Sequence, residues 1–406
     1  MIDGQIRLGH SMPWGMVGGG QGSQIGYIHR SAALRDGSFQ LVAGAFDLDP
    51  ERGRQFGQRL GVSAQRCYPD YRAMFEAEAR RPDGIRAVSI ATPNNTHFDI
   101  CRAALHAGLH VVCEKPLCFT TAEAEALQRL AGEQRKIVGV TYGYAGHQLI
   151  EHAREMIARG DLGEIRIVQM QFSHGFHSEG VEAANPAARW RMDPTFAGPS
   201  YVLGDIGTHP LYLSEVMLPG LKIARLLCSR QSFVKTRAPL EDNAFTIMEY
   251  QGGAIGYAWS CAVNAGSMHG QKIRVIGSKA SLEWWDEHPN QLRYEVQGQP
   301  AQVLDRGMGY LHPAALHDDR IGAGHPEGLF EAWSNLYYRF ALAMDATDRG
   351  DAATRRHCAA SAIRTSMRAS RACAGWRTAC VRPMRAACGS TIVECRHGLK
   401  NRPPRV

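Results

Sequence analysis

The chain contains three groups of residues with the chemistry to work on a small polar molecule. The run Val112-Cys113-Glu114-Lys115-Pro116-Leu117 is an apolar strand ending in a charge pair and a proline. A lysine at such a strand end stands at the mouth of a crevice, where its ammonium can polarise a substrate oxygen. A second apolar run, Val88 to Ala91, ends in the polar turn Thr92-Pro93-Asn94-Asn95-Thr96-His97. Further on, Gly204-Asp205-Ile206-Gly207-Thr208-His209 sets a carboxylate and an imidazole four residues apart, so that on a helical turn Asp205 and His209 share a face. A carboxylate beside an imidazole raises its basicity and fixes its orientation, which suits a general base. Alone, the pair reads as an Asp N-cap and a satisfied histidine at a helix start. Beside a dinucleotide domain and a strand-end lysine, the base is the better reading.

The dinucleotide domain is argued from the amino-terminal region. A short apolar strand ends in Gly15-Met16-Val17 and leads into Gly18-Gly19-Gly20-Gln21-Gly22-Ser23-Gln24-Ile25-Gly26 and a helical pattern. Glycines between strand and helix let the backbone turn sharply and approach a pyrophosphate, whose charge the helix N-terminus favours. The spacing is longer than G-x-G-x-x-G, and Gly18, Gly20 and Gly26 are its functional candidates. A second buried strand, Phe39 to Phe46, ends at Asp47. An acid there is placed to accept both ribose hydroxyls of NAD and to repel the 2′-phosphate of NADP. Asp49 is the N-cap of the following helix, with Pro50 at its first position. Arg52 and Arg54 leave NADP open as a cofactor.

The elements that position these groups alternate. Helix Arg52 to Leu60, the loop Cys67 to Tyr71, strand Ala87 to Ala91, helix Phe98 to Ala107, strand His110 to Cys113, helix Thr121 to Gln134 and strand Lys136 to Tyr142 give β-α-β-α order. The fold class is therefore α/β, with an N-terminal doubly wound parallel sheet over residues 1–141. After Tyr144 the pattern changes. A helix Gln148 to Arg159 is followed by alternating segments around 168–172, 225–234, 244–250, 254–261, 272–276 and 292–296. These predict a mostly antiparallel sheet with one face covered, in a second domain over 142–350. The helix Pro326 to Met344 carries Leu329, Phe330, Trp333, Leu336, Tyr337 and Phe340 on one face and is expected to cover part of that sheet.

At 406 residues the chain is too long for one core. The net charge of +7 is concentrated in the last 56 residues, which hold 12 Lys and Arg against two acids and leave about −3 for the rest. The globular body is thus no nucleic-acid binder by charge. Five of the 11 cysteines also fall in this tail, and the other six lack paired spacing, as expected for thiols in a reducing compartment. No apolar run approaches a membrane span, and the amino terminus lacks a signal-peptide pattern, so the expected compartment is the cytosol. Residues 351–406 are Ala-, Arg- and Cys-rich with fading apolar periodicity. They read as a replaced ending produced by a frame change near residue 350, the competing reading being an interaction tail.

Together the glycine loop, the Thr92 to His97 turn, Glu114-Lys115-Pro116 and the Asp205 to His209 run resemble the glucose-fructose oxidoreductase/inositol dehydrogenase/rhizopine-catabolism (Gfo/Idh/MocA) family. Trp190-Arg191-Met192-Asp193-Pro194 and His325-Pro326-Glu327-Gly328 are similar to it as well. The resemblance covers roughly residues 5 to 346. It implies a Rossmann domain, a nicotinamide cofactor, a sugar, inositol or related polyol substrate, and a homodimer or homotetramer paired through sheet faces. It also implies that Thr92, Pro93, Asn95, His97, Glu114 and Lys115 meet the cofactor, that Lys115 bridges cofactor and substrate, and that Pro116 follows a cis bond. Many relatives carry an Asn-Tyr-Arg-type run where this chain has Tyr142-Gly143-Tyr144-Ala145-Gly146-His147, so substrate contacts there are not carried over.

Two other functions use the same parts: an NAD-retaining glycosidase or lyase, and a dinucleotide-binding sensor or regulator. The sensor would need neither the lysine nor the histidine. No metal is assigned, since His174 and His177 are three apart at a strand end and alternation sends them to opposite faces. Of Trp284 and Trp285, one is expected in the core.

Overall fold

The computed structural model describes residues 8–185 and 189–351, together with the backbone of 392–396. The first sheet takes its strands from β1 (Met12–Gly18), β2 (Phe39–Ala45), β3 (Ala87–Ala91), β4 (His110–Cys113) and β5 (Val138–Val140). All pairings are parallel, in the order β2-β1-β3-β4-β5. The order reverses between β1 and β3, so their carboxyl ends open a crevice at that point. Helices α1 (Gln24–Arg35), α2 (Pro50–Arg59), α3 (Tyr71–Ala79), α4 (His97–His106) and α5 (Thr121–Glu133) connect the strands.

Local chemistry sets the helix starts. Asp49 accepts hydrogen bonds from the amides of Glu51 and Arg52 at 3.0 and 3.1 Å, with Pro50 following, which is the cap expected from the sequence. Thr120 and Glu123 form a reciprocal capping box at α5. Helix α3 was hidden in what reads as a loop. The Pro69-Asp70 turn signal is in fact its entry, Asp70 accepting from the amides of Arg72 and Ala73 at 2.8 and 2.9 Å.

Helix α6 (Gln148–Ala158) leads into β6 (Ile165–Ser173) and a second sheet. Its other strands are β7 (Ile223–Gln231), β8 (Asn243–Tyr250), β9 (Ile255–Cys261), β10 (Lys272–Gly277), β11 (Ala280–Trp285), β12 (Gln291–Val296), β13 (Gln302–Asp305) and β14 (Ile392–Arg396). The order is β13-β12-β11-β10-β6-β9-β8-β7-β14, and only β6 and β9 pair in parallel. Helix α7 (Thr208–Met217) packs on β6 and β10 from within. On the other face Leu227, Phe245, Ile247, Ile255 and Tyr257 are exposed. β11 and β13 were not anticipated, and Trp284 of β11 is wholly buried in the core.

The long helix α8 (Leu329–Asp348) is not where the sequence reading put it. It lies against the parallel sheet, with Trp333, Leu336, Tyr337, Phe340 and Met344 in one buried cluster with Met12, Trp14, Met16 and Phe39. An apolar stripe states that a helix has a partner but not which one. A parallel sheet must be covered on both faces, and β1 buries side chains on both. A polar chain fastens the contact: Trp14 Nε1 donates to Ser89 Oγ at 3.0 Å, Ser89 Oγ lies 2.7 Å from the Tyr337 hydroxyl, and that hydroxyl lies 2.5 Å from His29 Nδ1. At the far end of the helix Asp348 pairs with Arg86, His110 and Lys136 at 2.5, 2.9 and 3.0 Å.

Most of residues 351–406, the unusual tail, lies outside the described residues. The exception is β14, which pairs antiparallel with β7 at the sheet edge. No helix among the described residues is long and apolar enough to cross a membrane.

Candidate active site

The glycine loop at the end of β1 is shaped by close approaches. Gly18 has φ +74°, and a Cβ there would sit 2.5 Å from Ala91 O at the end of β3. Gly26, in the first turn of α1, would place a Cβ 2.3 Å from Gly19 O, so helix and loop touch backbone to backbone. Gly20 lies against Phe46 O, with the Asp47 carboxylate close by. Ser23 caps α1, and the buried Arg30 donates to Gly19 O at 2.6 Å, a clamp on the loop that the sequence reading missed. Glycine backbone leading into a helix N-terminus is the arrangement that takes a phosphate group, so the residues fit a dinucleotide. Gly26→Ala is expected to weaken NADH binding at least tenfold, read by nucleotide fluorescence titration. An unchanged Kd would show that the helix need not approach so closely.

At the end of β2, Asp47 receives Arg52 through two bonds of 2.8 and 2.6 Å and accepts the Asp49 amide at 3.0 Å. The Arg52 bond holds its carboxyl down at about 2. Arg54 is committed to Glu51 at 2.6 Å. In the turn after β3, Pro93 and Asn95 are exposed at the edge, and the Thr92 hydroxyl meets that of Thr96 at 2.7 Å. Two residues expected to meet the cofactor lie beneath this edge instead. His97 is fully buried, its ring nitrogens 2.8 Å from Pro116 O and 2.9 Å from Thr92 O, so it ties two strand-end turns together. Glu114 is buried as well, bonded to the Thr141 hydroxyl and 3.2 Å from His29 Nε2. Burial alone would raise its carboxyl, and His29 and Lys115 outweigh it.

Lys115 precedes a cis peptide bond to Pro116 and reaches the second domain. Its ammonium donates to the backbone O and to Oδ1 of Asp205 at 2.7 and 2.8 Å. Arg191 donates to Oδ2 at 3.2 Å. Burial would raise the Asp205 carboxyl, but the two cations hold it well below the usual range. Asp205 is thus engaged by cations and makes no hydrogen bond to His209, so it does not orient the ring as expected and acts on it through its charge alone. The carboxylate sits in a π-helical turn, Leu203–Gly207, and is claimed there by Lys115 and Arg191 from other segments. His209 packs edge-on against Tyr142 and Tyr144, with ring centroids at 5.5 and 5.0 Å, and its Nδ1 is buried without a hydrogen-bond partner. Burial, and then the Lys115 charge, push its pKa well below the usual value, so it is neutral at pH 7.

His174 and His177 also differ from expectation. β6 ends at Ser173, so alternation stops there and the two rings meet at 5.4 Å. No group of three potential ligands gathers around a metal position among the described residues.

Burial lowers His147, His152 and His174 to about 4. Each stays neutral in the fold and charges in the unfolded chain below about 6.5, so the unfolded state binds more protons and stability falls as pH drops through 6.5 toward 4. Asp318, raised by burial to about 6, works in the opposite direction over much of that range. From these four groups the expectation is a loss of about 2–4 kcal/mol between pH 6.5 and 5, at ~1.4 kcal/mol per unit and group. Urea midpoints at the two pH values test it, and an equal or higher midpoint at pH 5 would refute it.

A glycine-lined nucleotide cradle and a strand-end lysine facing a neutral histidine define a dinucleotide-dependent oxidoreductase. Two family models match in tandem: the oxidoreductase family NAD-binding Rossmann fold over residues 12–142, and the oxidoreductase family C-terminal alpha/beta domain over 154–373, which runs on into the tail. The chain belongs to the Gfo/Idh/MocA oxidoreductases, and it is an NAD(P)-dependent dehydrogenase acting on CH–OH groups. It is 55% identical over 353 residues to an uncharacterized oxidoreductase, YfiI, of Bacillus subtilis, covering 86% of this chain and 90% of that one. A crystal structure of an inositol dehydrogenase homologue from Azotobacter vinelandii complexed with NAD+ shares 72% identity, with a TM-score of 0.90 over 94% of this chain and 97% of that one. A second Azotobacter structure, with NADH and myo-inositol, shares 70% identity and a TM-score of 0.88 over the same shares.

Proposed function

We propose that this enzyme oxidises a ring hydroxyl of an inositol, a sugar or a related polyol with NAD. One observation carries the reading: the Lys115 ammonium, bonded at 2.8 Å to Asp205, and the neutral His209, whose buried Nδ1 has no hydrogen-bond partner, lie together beside the carboxyl edge of the nucleotide-binding sheet. The complex of the Azotobacter homologue with NADH and myo-inositol supports the substrate class. When bound, the nicotinamide supplies the hydride acceptor. The chain's own residues handle the proton and the charge. His209 is the general base that removes the hydroxyl proton, and its depressed pKa keeps it in the accepting form. Lys115 stabilises the oxygen as negative charge develops on it. Asp205 holds the ammonium in place through two oxygens, and Arg191 shares the carboxylate.

NAD is favoured over NADP because Asp47 stays ionised at the end of β2 and both nearby arginines are already paired. Thr92, Pro93 and Asn95, in the turn after β3, would help to hold the cofactor at this edge. The exposed apolar stripe on β7, β8 and β9, with Phe245 and Trp259 stacked at 5.5 Å, supports a homodimer or homotetramer, tested by sedimentation. Six free cysteines among the described residues accord with a reducing, cytosolic setting.

The test is NADH formation from NAD across inositols, aldoses and open-chain polyols. Steady turnover without release of a second sugar supports the proposal. Tight NAD binding with no NADH from any of them would sink it, and sugar release without net NADH would point to a glycosidase.

A further inference from the structure

Beside His209 stands a second imidazole that the reaction outlined above does not use. His269 lies in the loop before β10, and the Phe172 ring separates the two histidines, 5.8 Å from His209 and 4.5 Å from His269. Tyr144 also touches both rings, at 5.0 and 5.7 Å, and its hydroxyl lies 3.2 Å from His269 Nε2. The other ring nitrogen, Nδ1, is bonded to the buried carboxylate of Asp286.

We propose that Tyr144, backed by His269 and Asp286, is a specificity residue that accepts a hydrogen bond from a second substrate hydroxyl, next to the one being oxidised. The inference rests on His209 and Lys115 being the reacting groups. It narrows the substrate class to ring compounds carrying neighbouring hydroxyls.

The polarity of the chain of bonds gives the direction. A carboxylate only accepts, so Nδ1 of His269 carries the hydrogen, and on a ring with that single hydrogen Nε2 presents a lone pair. The Tyr144 hydroxyl therefore donates to Nε2, and its own oxygen keeps lone pairs for a donor. Burial, then the Asp286 and Asp205 carboxylates, raise the phenol's pKa, so the hydroxyl keeps the hydrogen this scheme needs. The surroundings are built to hold that arrangement. Asp286 Oδ1 accepts the Gln271 amide at 3.1 Å. Glu287 accepts the amides of His269 and Gly270 at 3.1 and 2.7 Å. Gln171 of β6 donates to Gly270 O at 2.9 Å, pinning the loop to the sheet. With its imidazole fixed from both sides, the phenol oxygen is a preorganised acceptor beside the proposed base. A hydroxyl satisfies it, whereas a methylene leaves it unpaired, and such a site discriminates far better than an apolar wall.

The experiment compares wild type, Tyr144→Phe and Asp286→Asn on myo-inositol, trans-cyclohexane-1,2-diol and cyclohexanol at saturating NAD. Tyr144→Phe is expected to raise KM for myo-inositol and the diol about 10–100-fold, leaving kcat within a few-fold and NADH binding unchanged. The diol should lose its advantage over cyclohexanol, and Asp286→Asn should produce a smaller shift in the same sense. A KM within threefold of wild type on myo-inositol, or an equal loss on diol and mono-alcohol, would overturn the inference while leaving the dehydrogenase reading intact. A wild-type protein that binds NADH yet oxidises no hydroxyl compound would strike the parent reading and this one with it.

Discussion

Lys115→Ala is expected to lower kcat/KM for the polyol about a thousandfold, with most of the loss in kcat. The side chain is mostly buried, so its charge acts where water screens little. Removing a preorganised donor aimed at developing negative charge costs about 2.7–4 kcal/mol of barrier, a factor of roughly 10²–10³. A second consequence adds to it. Without the ammonium, the buried Asp205 keeps only Arg191 at 3.2 Å, and its carboxyl rises from its depressed value. His209 loses the Lys115 charge that helps to hold its pKa down. NADH binding should fall far less than kcat, because the glycine cradle and Asp47, which hold the nucleotide, belong to other elements. Initial rates at saturating NAD, beside a fluorescence titration with NADH, separate the two effects. Activity within tenfold of wild type would remove Lys115 from the chemistry.

The second large effect is on stability. Phe340→Ala should cost about 3–5 kcal/mol, the range for deleting a fully buried aromatic ring. The ring is 1% exposed, packs edge-on against Tyr337 at 6.2 Å, and fills the space over Gly139 of β5, where even a Cβ would come within 2.6 Å of it. A cavity there opens between α8 and the parallel sheet, so nucleotide binding should weaken alongside the urea midpoint. A loss below about 1 kcal/mol would mean that the helix contributes little to holding the sheet.

What could be read beforehand follows the distance over which each feature is determined. The strand-end turn at Thr92, the lysine before Pro116, the glycines and the cap at Asp49 are local, each a few residues long with its own chemistry. The parallel sheet followed from the same alternation. Features built from distant segments were not legible. Arg30 reaches Gly19 across a helix, Arg191 reaches Asp205 from an irregular segment, and His269 and Asp286 meet Tyr144 from more than a hundred residues away. None of these carries a spacing that announces it. The reading of Asp205 and His209 failed for a similar reason, because spacing along a helix says nothing of Lys115 and Arg191, which claim the carboxylate from other segments. Helix α8 was recognised as amphipathic, but its partner sheet is chosen by tertiary packing that no periodicity encodes.

That choice of partner sheet bears on how the protein is made. His29 and Tyr337 are 308 residues apart in the chain, yet they share one hydrogen bond in the heart of the nucleotide domain. At a ribosomal pace of about 5–20 residues per second, the Trp14 face of β1 waits roughly 15–60 s for its cover. During that interval the first domain presents Met12, Trp14, Met16 and Phe39 without the helix that buries them, on a sheet whose strands all pair in parallel. The nascent amino-terminal half is thus a natural client for a holdase. Shortening the chain before residue 329 should yield an aggregating fragment rather than a free nucleotide-binding module.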